Sequence, residues 1–293
     1  MKERNTKKRF FILLVVLCCA AYFILSIYFS YNHLVTRSYD ITSDKVGQEI
    51  HLVVLADLHD NELGDGNSEL IGRVQQLEPD AILMVGDMLN DVSACSDVAV
   101  DLVEQLSVDT PVYYALGNHE IGYGQLQDQT LISELEAAGA VILDLESQDI
   151  QINDQRIRIG GMYDYAFALD GYDSCDPKKM KPEVYSFLTE FQDTEDFTLM
   201  MAHRPESFVL GEASVTWDID LVVSGHAHGG QVVVPFAGGL WAPEQGFFPE
   251  YVHGVYVKEQ LRFVITSGLG SDPQFFPRFN NPPEIVEIVI KPQ

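Results

Sequence analysis

Five short apolar runs in this chain end in the same way. Glu49–Ala56 runs into Asp57-Leu58-His59, and Ala81–Val85 into Gly86-Asp87. Val112–Leu116 meets Gly117-Asn118-His119-Glu120, Phe197–Ala202 meets His203-Arg204-Pro205, and Ile219–Ser224 meets Gly225-His226-Ala227-His228-Gly229-Gly230-Gln231. Runs of this length, rich in β-branched residues, read as buried strands. Core packing explains the runs; it does not explain the aspartate, histidine or asparagine at each end. Open α/β sheets gather their functional groups beyond the carboxyl ends of strands, and this pattern constrains the chain to such a layout.

The intervening segments agree. Leu70, Ile71, Val74 and Leu77 share one face of a helix over Glu69–Leu77, and Asp97–Leu106 forms a second amphipathic helix. The first half thus reads β-α-β-α-β. Further on, Leu131–Ala138 and Pro182–Phe191 read as helices, the latter with proline near its start. Val141–Leu143, Asp149–Asn153 and Arg156–Ile159 read as short strands, with a hairpin at Asn153-Asp154. Tyr165–Lys181 reads as a polar loop, and after Val232–Phe236 a loop rich in glycine, proline and aromatic residues runs to Val252. Gly254–Val257, Leu261–Thr266 and Glu284–Ile290 complete the strands. No internal repeat is present.

Taken singly, each strand end is weak. His226 and His228 read equally as two polar turn residues or as ligands of an ion, and Asp57-x-His59 alone reads as a solvated strand end. Collected, Asp57, His59, Asp87, Asn118, His119, His203, His226 and His228 are imidazole and oxygen donors without a thiolate. Such a set suits Zn, Mn, Fe, Co or Ni without choosing among them. It is too large for one tetrahedral ion and suits two ions that share a carboxylate, about 3.5–4 Å apart, as in hydrolytic phosphoryl chemistry.

The series, in this order and spacing over residues 50 to 290, resembles the calcineurin-like metallophosphoesterases. The phrase Gly225–Gln231 followed by Pro235-Phe236 is similar to a bacterial, often membrane-anchored branch that includes proteins similar to UDP-2,3-diacylglucosamine pyrophosphatases. The resemblance implies an α/β fold of four layers, an α-β-β-α sandwich, behind one N-terminal transmembrane helix. It implies two divalent metal ions. Asp57, His59 and His228 would hold the first, Asn118, His203 and His226 the second, and Asp87 would bridge them. His119 would contact the phosphate and protonate the leaving group, while a hydroxide formed from water shared by the ions attacks phosphorus in line. Glu120 orients His119 or is merely solvated. Arg204 and Arg278 are candidates to assist with the phosphate, with a surface role favoured for both. Phe236, Trp241, Phe247, Phe248 and Tyr251, with Phe275 and Phe276, either wall the site for a lipid or nucleobase or simply pack beneath a long loop.

The N-terminus adds a second constraint. Phe10–Tyr31 is 22 residues long and uncharged, enough to span a bilayer. Lys2, Arg4, Lys7, Lys8 and Arg9 precede it, which places the N-terminus in the cytoplasm. Ala20-Ala21 is followed by more apolar residues, which disfavours a cleaved signal peptide, and Leu17 before Cys18 disfavours a lipoprotein. The expected organisation is a basic tail over 1–9, a signal anchor over 10–31, a stalk over 32–48 and a phosphoesterase domain over 49–293. Formal charge is −26 overall and −30 beyond the basic tail, so nucleic-acid binding is not expected. Cys95 and Cys175 either pair as a disulfide or stay free.

The expected activity is hydrolysis of a phosphate ester or pyrophosphate at the outer face of the membrane, on a phosphoester that includes lipid-linked ones. The alternative is a non-catalytic anchored domain that binds metal or wall components. Oligomeric state is not legible.

Overall fold

The computed structural model describes residues 2–170, 174–272 and 276–293. The chain begins with one long helix, α1 (Lys2–Asn32), followed by β1 (Val35–Ser43), β2 (Ile50–Leu55), α2 (Ser68–Gln76), β3 (Ala81–Val85), α3 (Asp97–Leu106) and β4 (Val112–Ala115). Next come α4 (Asn118–Leu126), α5 (Leu131–Ala137), β5 (Ala140–Ile142), β6 (Glu146–Ile152), β7 (Gln155–Met162), α6 (Pro182–Phe191) and β8 (Phe197–Ala202). Two single-turn helices, α7 (Glu206–Val209) and α8 (Ala213–Thr216), precede β9 (Leu221–Ser224). Two small hairpins follow, β10 (Val233–Val234) with β11 (Gly238–Gly239) and β12 (Trp241–Ala242) with β13 (Gly246–Phe247). The last strands are β14 (Gly254–Lys258), β15 (Leu261–Ile265) and β16 (Glu284–Pro292).

Two six-stranded mixed sheets carry the domain, in the orders β1-β16-β2-β3-β4-β5 and β14-β15-β9-β8-β7-β6. Strands β2 to β5 are mutually parallel, and so are β15, β9, β8 and β7. Apolar residues from alternating positions of both sheets meet in a buried middle layer that includes Leu52, Val54, Leu83, Val85, Leu199, Met201, Val223 and Ile288. Their neighbours in sequence point the other way. Val53, Leu55 and Met84 pack with Leu70, Val74, Leu102 and Val103 of α2 and α3, and Met200, Val222 and Phe263 pack with Leu188, Phe191 and Phe208 of α6 and α7. This two-sided burial is why the strands read as continuous apolar runs, and it produces the four layers expected. Each fully buried aliphatic side chain contributes roughly 1.5–3 kcal/mol of transfer free energy.

The stalk is the main departure. Val35–Ser43 is an edge strand that pairs in parallel with β16 from Val35↔Glu284 to Ser43↔Pro292. The folded domain therefore starts at residue 35, directly after α1. Half of this strand faces solvent, so it looks polar, and its partner lies about 250 positions away. Asn118–Leu126, expected only as a ligand-bearing turn, is a helix. Within the loop expected over 165–181, Ala166, Phe167 and Ala168 are buried, while residues 171–173 lie outside the described residues. All four cysteines are free, so Cys95 and Cys175 are not paired.

Candidate metal centre

Every strand end singled out above arrives at one place. Asp57 and Asp87 leave their strands in the left-handed region, at φ 53° and 57°, and His59, His226 and His228 share that conformation. Such backbone is uncommon outside glycine and clusters where a site over-determines it. The turns interlock through hydrogen bonds: Asp57 N–H donates to Gly86 O (2.9 Å), His59 N–H to Asp87 O (3.1 Å), and Gly225 N–H to His203 O (3.0 Å). The Asp57 carboxylate accepts from His226 N–H at 2.9 Å, joining residues 169 positions apart across the two sheets. A Cβ at Gly225 would lie 2.4 Å from Asp57 Oδ2, and one at Gly117 would lie 2.1 Å from Asp87 Oδ1. Both glycines are there because a carboxylate occupies the space of a side chain.

Three sets of donors lie close enough to share a cation: Asp57, His59 and His228; His59, Asp87 and His119; Asp87, His203 and His226. Asp87 Oδ2 sits between them, 3.9 Å from His59 Nε2, 3.9 Å from His119 Nε2 and 3.0 Å from His203 Nε2. His228 Nε2 and His203 Nε2 lie 3.9 and 4.0 Å from Asp57 Oδ1.

The donors fit metal on the structure's own terms. His59 Nε2, Asn118 Oδ1, His203 Nε2, His226 Nε2 and His228 Nδ1 are buried without a hydrogen-bond partner. The His203 approach to Asp87 is close but lacks hydrogen-bond alignment, so it is a contact of charges. Leaving a buried polar group unpaired costs about 1–3 kcal/mol, and five in one pocket is a large cost unless a cation offsets it. Protonation tells the same story. Burial pulls His59 down to about 4 and drives His226 and His228 well below the ordinary imidazole value, so all three are neutral with lone pairs free. Burial pushes Asp57 up to about 7, against His203. Burial also opposes charge on Asp87 and His203, yet their mutual attraction overrides it, holding Asp87 low and pushing His203 up to about 10. A proton on His203 stands where the cluster calls for positive charge.

A further ring of residues aims these donors. His203 Nδ1 is 2.7 Å from Val85 O, which fixes that nitrogen as the donor and turns Nε2 inward. His59 Nδ1 meets Asn90 Oδ1 at 2.9 Å, and Asn90 Nδ2 donates to Asp60 Oδ2 at 2.7 Å. Sequence reasoning missed Asn90; the available signal was an asparagine three residues beyond Asp87 in the same turn. Asn90→Ala is expected to weaken metal binding about 10–100-fold with little change in fold, read by calorimetric metal titration.

Three other expectations change. Glu120 is buried, and its carboxylate is engaged elsewhere than on the His119 ring. Its carboxylate accepts from the N–H groups of Asp87, Met88 and Gly117 at 2.7–2.8 Å and from Tyr114 Oη, so it ties the Asp87 and Asn118 turns together. Arg278 is fully buried rather than at the surface or on a phosphate. Its guanidinium donates to the carbonyls of Gly268, Gly270, Asn281 and Pro282, bracing the loop whose Gly270 N–H donates to Asp57 O. Arg204 stacks on Tyr163 and Tyr165, 4.1 and 4.2 Å from the ring centroids, and pairs with Glu244. Around the His119 ring, Asp91 N–H lies 3.1 Å and Asp91 Oδ1 3.4 Å from Nδ1, while Nε2 faces Asp87 Oδ2 at 3.9 Å. The aromatic loop is not packed away. Phe236, Phe247, Phe248 and Phe276 are exposed, and Trp241 lines a small apolar pocket with Ala227 and His228. Phe275 lies outside the described residues.

Comparison with known proteins gives this geometry its context. The profile of the family described as calcineurin-like phosphoesterase matches residues 50–230, which hold every donor named above. A metallophosphoesterase of Campylobacter jejuni is 28% identical over 84% of this chain and 62% of its own length. A metallophosphoesterase of Aquifex aeolicus is 25% identical over 92% of this chain and 98% of its own. The phosphodiesterase YaeI of Escherichia coli is 27% identical over 75% of each. The chain thus spans less than two thirds of the Campylobacter relative and nearly all of the Aquifex one.

Proposed function

Because this chain belongs to the calcineurin-like phosphoesterase family, we propose that it hydrolyses a phosphoester or pyrophosphate bond with two divalent ions. Asp57, His59 and His228 hold one ion, Asn118, His203 and His226 the other, and Asp87 both. The observation that carries the reading is the convergence of five unpartnered buried donor atoms on two buried carboxylates. Bound divalent ions supply the charge that draws in an anionic phosphoester and the acidity that readies water for attack on phosphorus.

The chain's own residues do the rest. Asp57 and Asp87 set the spacing of the donors, and the Asp57–His226 hydrogen bond keeps the two sheets in register across the site. His119 faces the leaving oxygen through Nε2. As a general acid it gives up the Nε2 proton of an imidazolium and returns to neutral imidazole, and Asp91 Oδ1, 3.4 Å from Nδ1, is the carboxylate that supports that charged form. A phosphodiester or a lipid-linked phosphate suits the site best, because Trp241 and its neighbours make an apolar wall beside His228. An apolar wall there supports the membrane-anchored branch that the Gly225–Gln231 phrase resembles. Helix α1 is the anchor, residues 1–9 the cytoplasmic tail, and the domain from residue 35 lies outside. Residues Thr6–Asn32 are long and apolar enough to cross a membrane.

The test uses the full chain in detergent. Chelation is expected to remove hydrolysis of bis-p-nitrophenyl phosphate, and added Mn or Zn to restore it as two ions bind per chain. Hydrolysis that survives complete metal removal would overturn the reading. Topology is checked by a C-terminal reporter, expected to be active only outside the cytoplasm.

A further inference from the structure

Helix α1 packs in the opposite sense to a helix in water. Among its described residues it exposes Phe10 through Phe29 almost continuously and buries only Ser26 and Ser30. With Tyr22, these serines recur every four residues, so they form one face. That face is hydrogen-bonded to the domain. Tyr22 Oη and Ser26 Oγ donate to Asn280 Oδ1 at 2.8 and 2.6 Å, and Ser30 Oγ accepts from Asn281 N–H at 3.1 Å. Phe279 packs against Tyr22 and Phe23, with ring centroids 5.8 and 5.2 Å away. Apolar outside and polar inside is the arrangement that a hydrocarbon surround demands, since polar groups there must find partners within the protein.

The depth of this contact follows from the chain. Arg9 is the last charged residue before the apolar run. A core about 30 Å thick takes about 20 helical residues, so it ends near Phe29, and Tyr22 lies about seven residues, or ~10 Å, inside it. Phe279 and Asn280 sit beside Tyr22 and Ser26, so they share that depth. Their neighbours come with them. Val232 bridges Phe279, Val233 N–H donates to Phe279 O at 2.9 Å, and the hairpin that begins there presents Phe236 fully exposed. Phe276, also exposed, accepts from Gln231 through its carbonyl. The same segment reaches the metal centre, because Asn281 Nδ2 donates to His228 O at 2.7 Å.

We propose that the catalytic domain is sunk into the leaflet on its own side of the membrane, with the Phe276–Asn280 segment and the Phe236 hairpin among the lipid tails. The partner of this surface is the bilayer itself. The metal loop then lies at the lipid–water boundary, one hydrogen bond from the immersed segment. This inference rests on α1 crossing the membrane, which belongs to the reading above, and not on the reaction.

The experiment measures depth in the full chain. Nitroxides are placed at Phe236→Cys, Phe276→Cys, Leu14→Cys and Val108→Cys, with Cys18, Cys19, Cys95 and Cys175 changed to Ser, in mixed phosphatidylcholine and phosphatidylglycerol vesicles. Each is scored by collision with oxygen, which favours hydrocarbon, against a water-soluble nickel complex. Labels at 236 and 276 are expected to match Leu14, several-fold richer in oxygen collisions, while the exposed Val108 label reports water. Water-like labels at 236 and 276 beside a hydrocarbon-like label at 14 would overturn the immersion and leave the anchor intact. A water-like label at 14 would overturn both. Hydrolysis of a soluble aryl phosphodiester by the same samples reports on the reaction separately.

Discussion

Asp87→Ala is expected to abolish turnover and to empty the metal centre. Asp87 Oδ2 lies within 3.9 Å of His59, His119 and His203, and Oδ1 accepts from His119 N–H at 2.8 Å. Removing it takes negative charge from the middle of the donor cluster and leaves the His203 imidazole buried beside a void. A loss of at least about 10³-fold in kcat, roughly 4 kcal/mol of barrier, should accompany loss of bound metal by elemental analysis. Asp87→Asn separates charge from shape. Its amide oxygen can still accept the His119 N–H, so the fold should hold by circular dichroism while metal and activity fall. A D87A protein that keeps activity within tenfold of the parent would remove Asp87 from the shared position.

His119→Asn should behave differently, and the contrast is informative. His119 sits beside the carboxylates, but its Nδ1 is engaged by Asp91, 3.1 Å from the N–H and 3.4 Å from Oδ1, and Nε2 faces the site. A proton donor to the leaving group is worth about 10²–10⁴-fold, and most of that appears when the leaving oxygen is basic. The variant should keep its metal, lose turnover of an alkyl phosphodiester by that factor, and lose far less with p-nitrophenolate, which departs without a proton. Equal losses on both substrates would assign His119 to phosphate binding instead. Loss of metal would make it a ligand, as its place in one donor set with His59 and Asp87 allows.

Much of the fold was legible because its signals are local. Asp97–Leu106, Pro182–Phe191 and Phe197–Ala202 coincide with the observed elements, since apolar spacing of 3.6 or an unbroken apolar run reports the burial of each segment by itself. The candidate donors were legible for the same reason: each stands just beyond the end of a buried strand. What failed depended on remote partners. Val35–Ser43 looks like a polar stalk until β16 pairs with it. Arg278 looks like a surface cation until four carbonyls close around it. Ser26 and Ser30 look incidental within an apolar helix until Asn280 and Asn281 meet them.

The sequence by itself determined the chemistry available: imidazoles and carboxylates at the mouths of buried strands, two of them crowded by glycines, behind a helix apolar enough for a bilayer. Tertiary structure decided how that chemistry is arranged. It brought Asp57 to His226 across 169 residues, put Asp87 among three imidazoles, and set Asn90 and Glu120 to hold them. It also joined the helix to the metal loop through Asn281. The reason is physical. Backbone preference and hydrophobic period act over a few residues, whereas sheet register and the burial of polar groups are settled only when distant segments exclude water from one another.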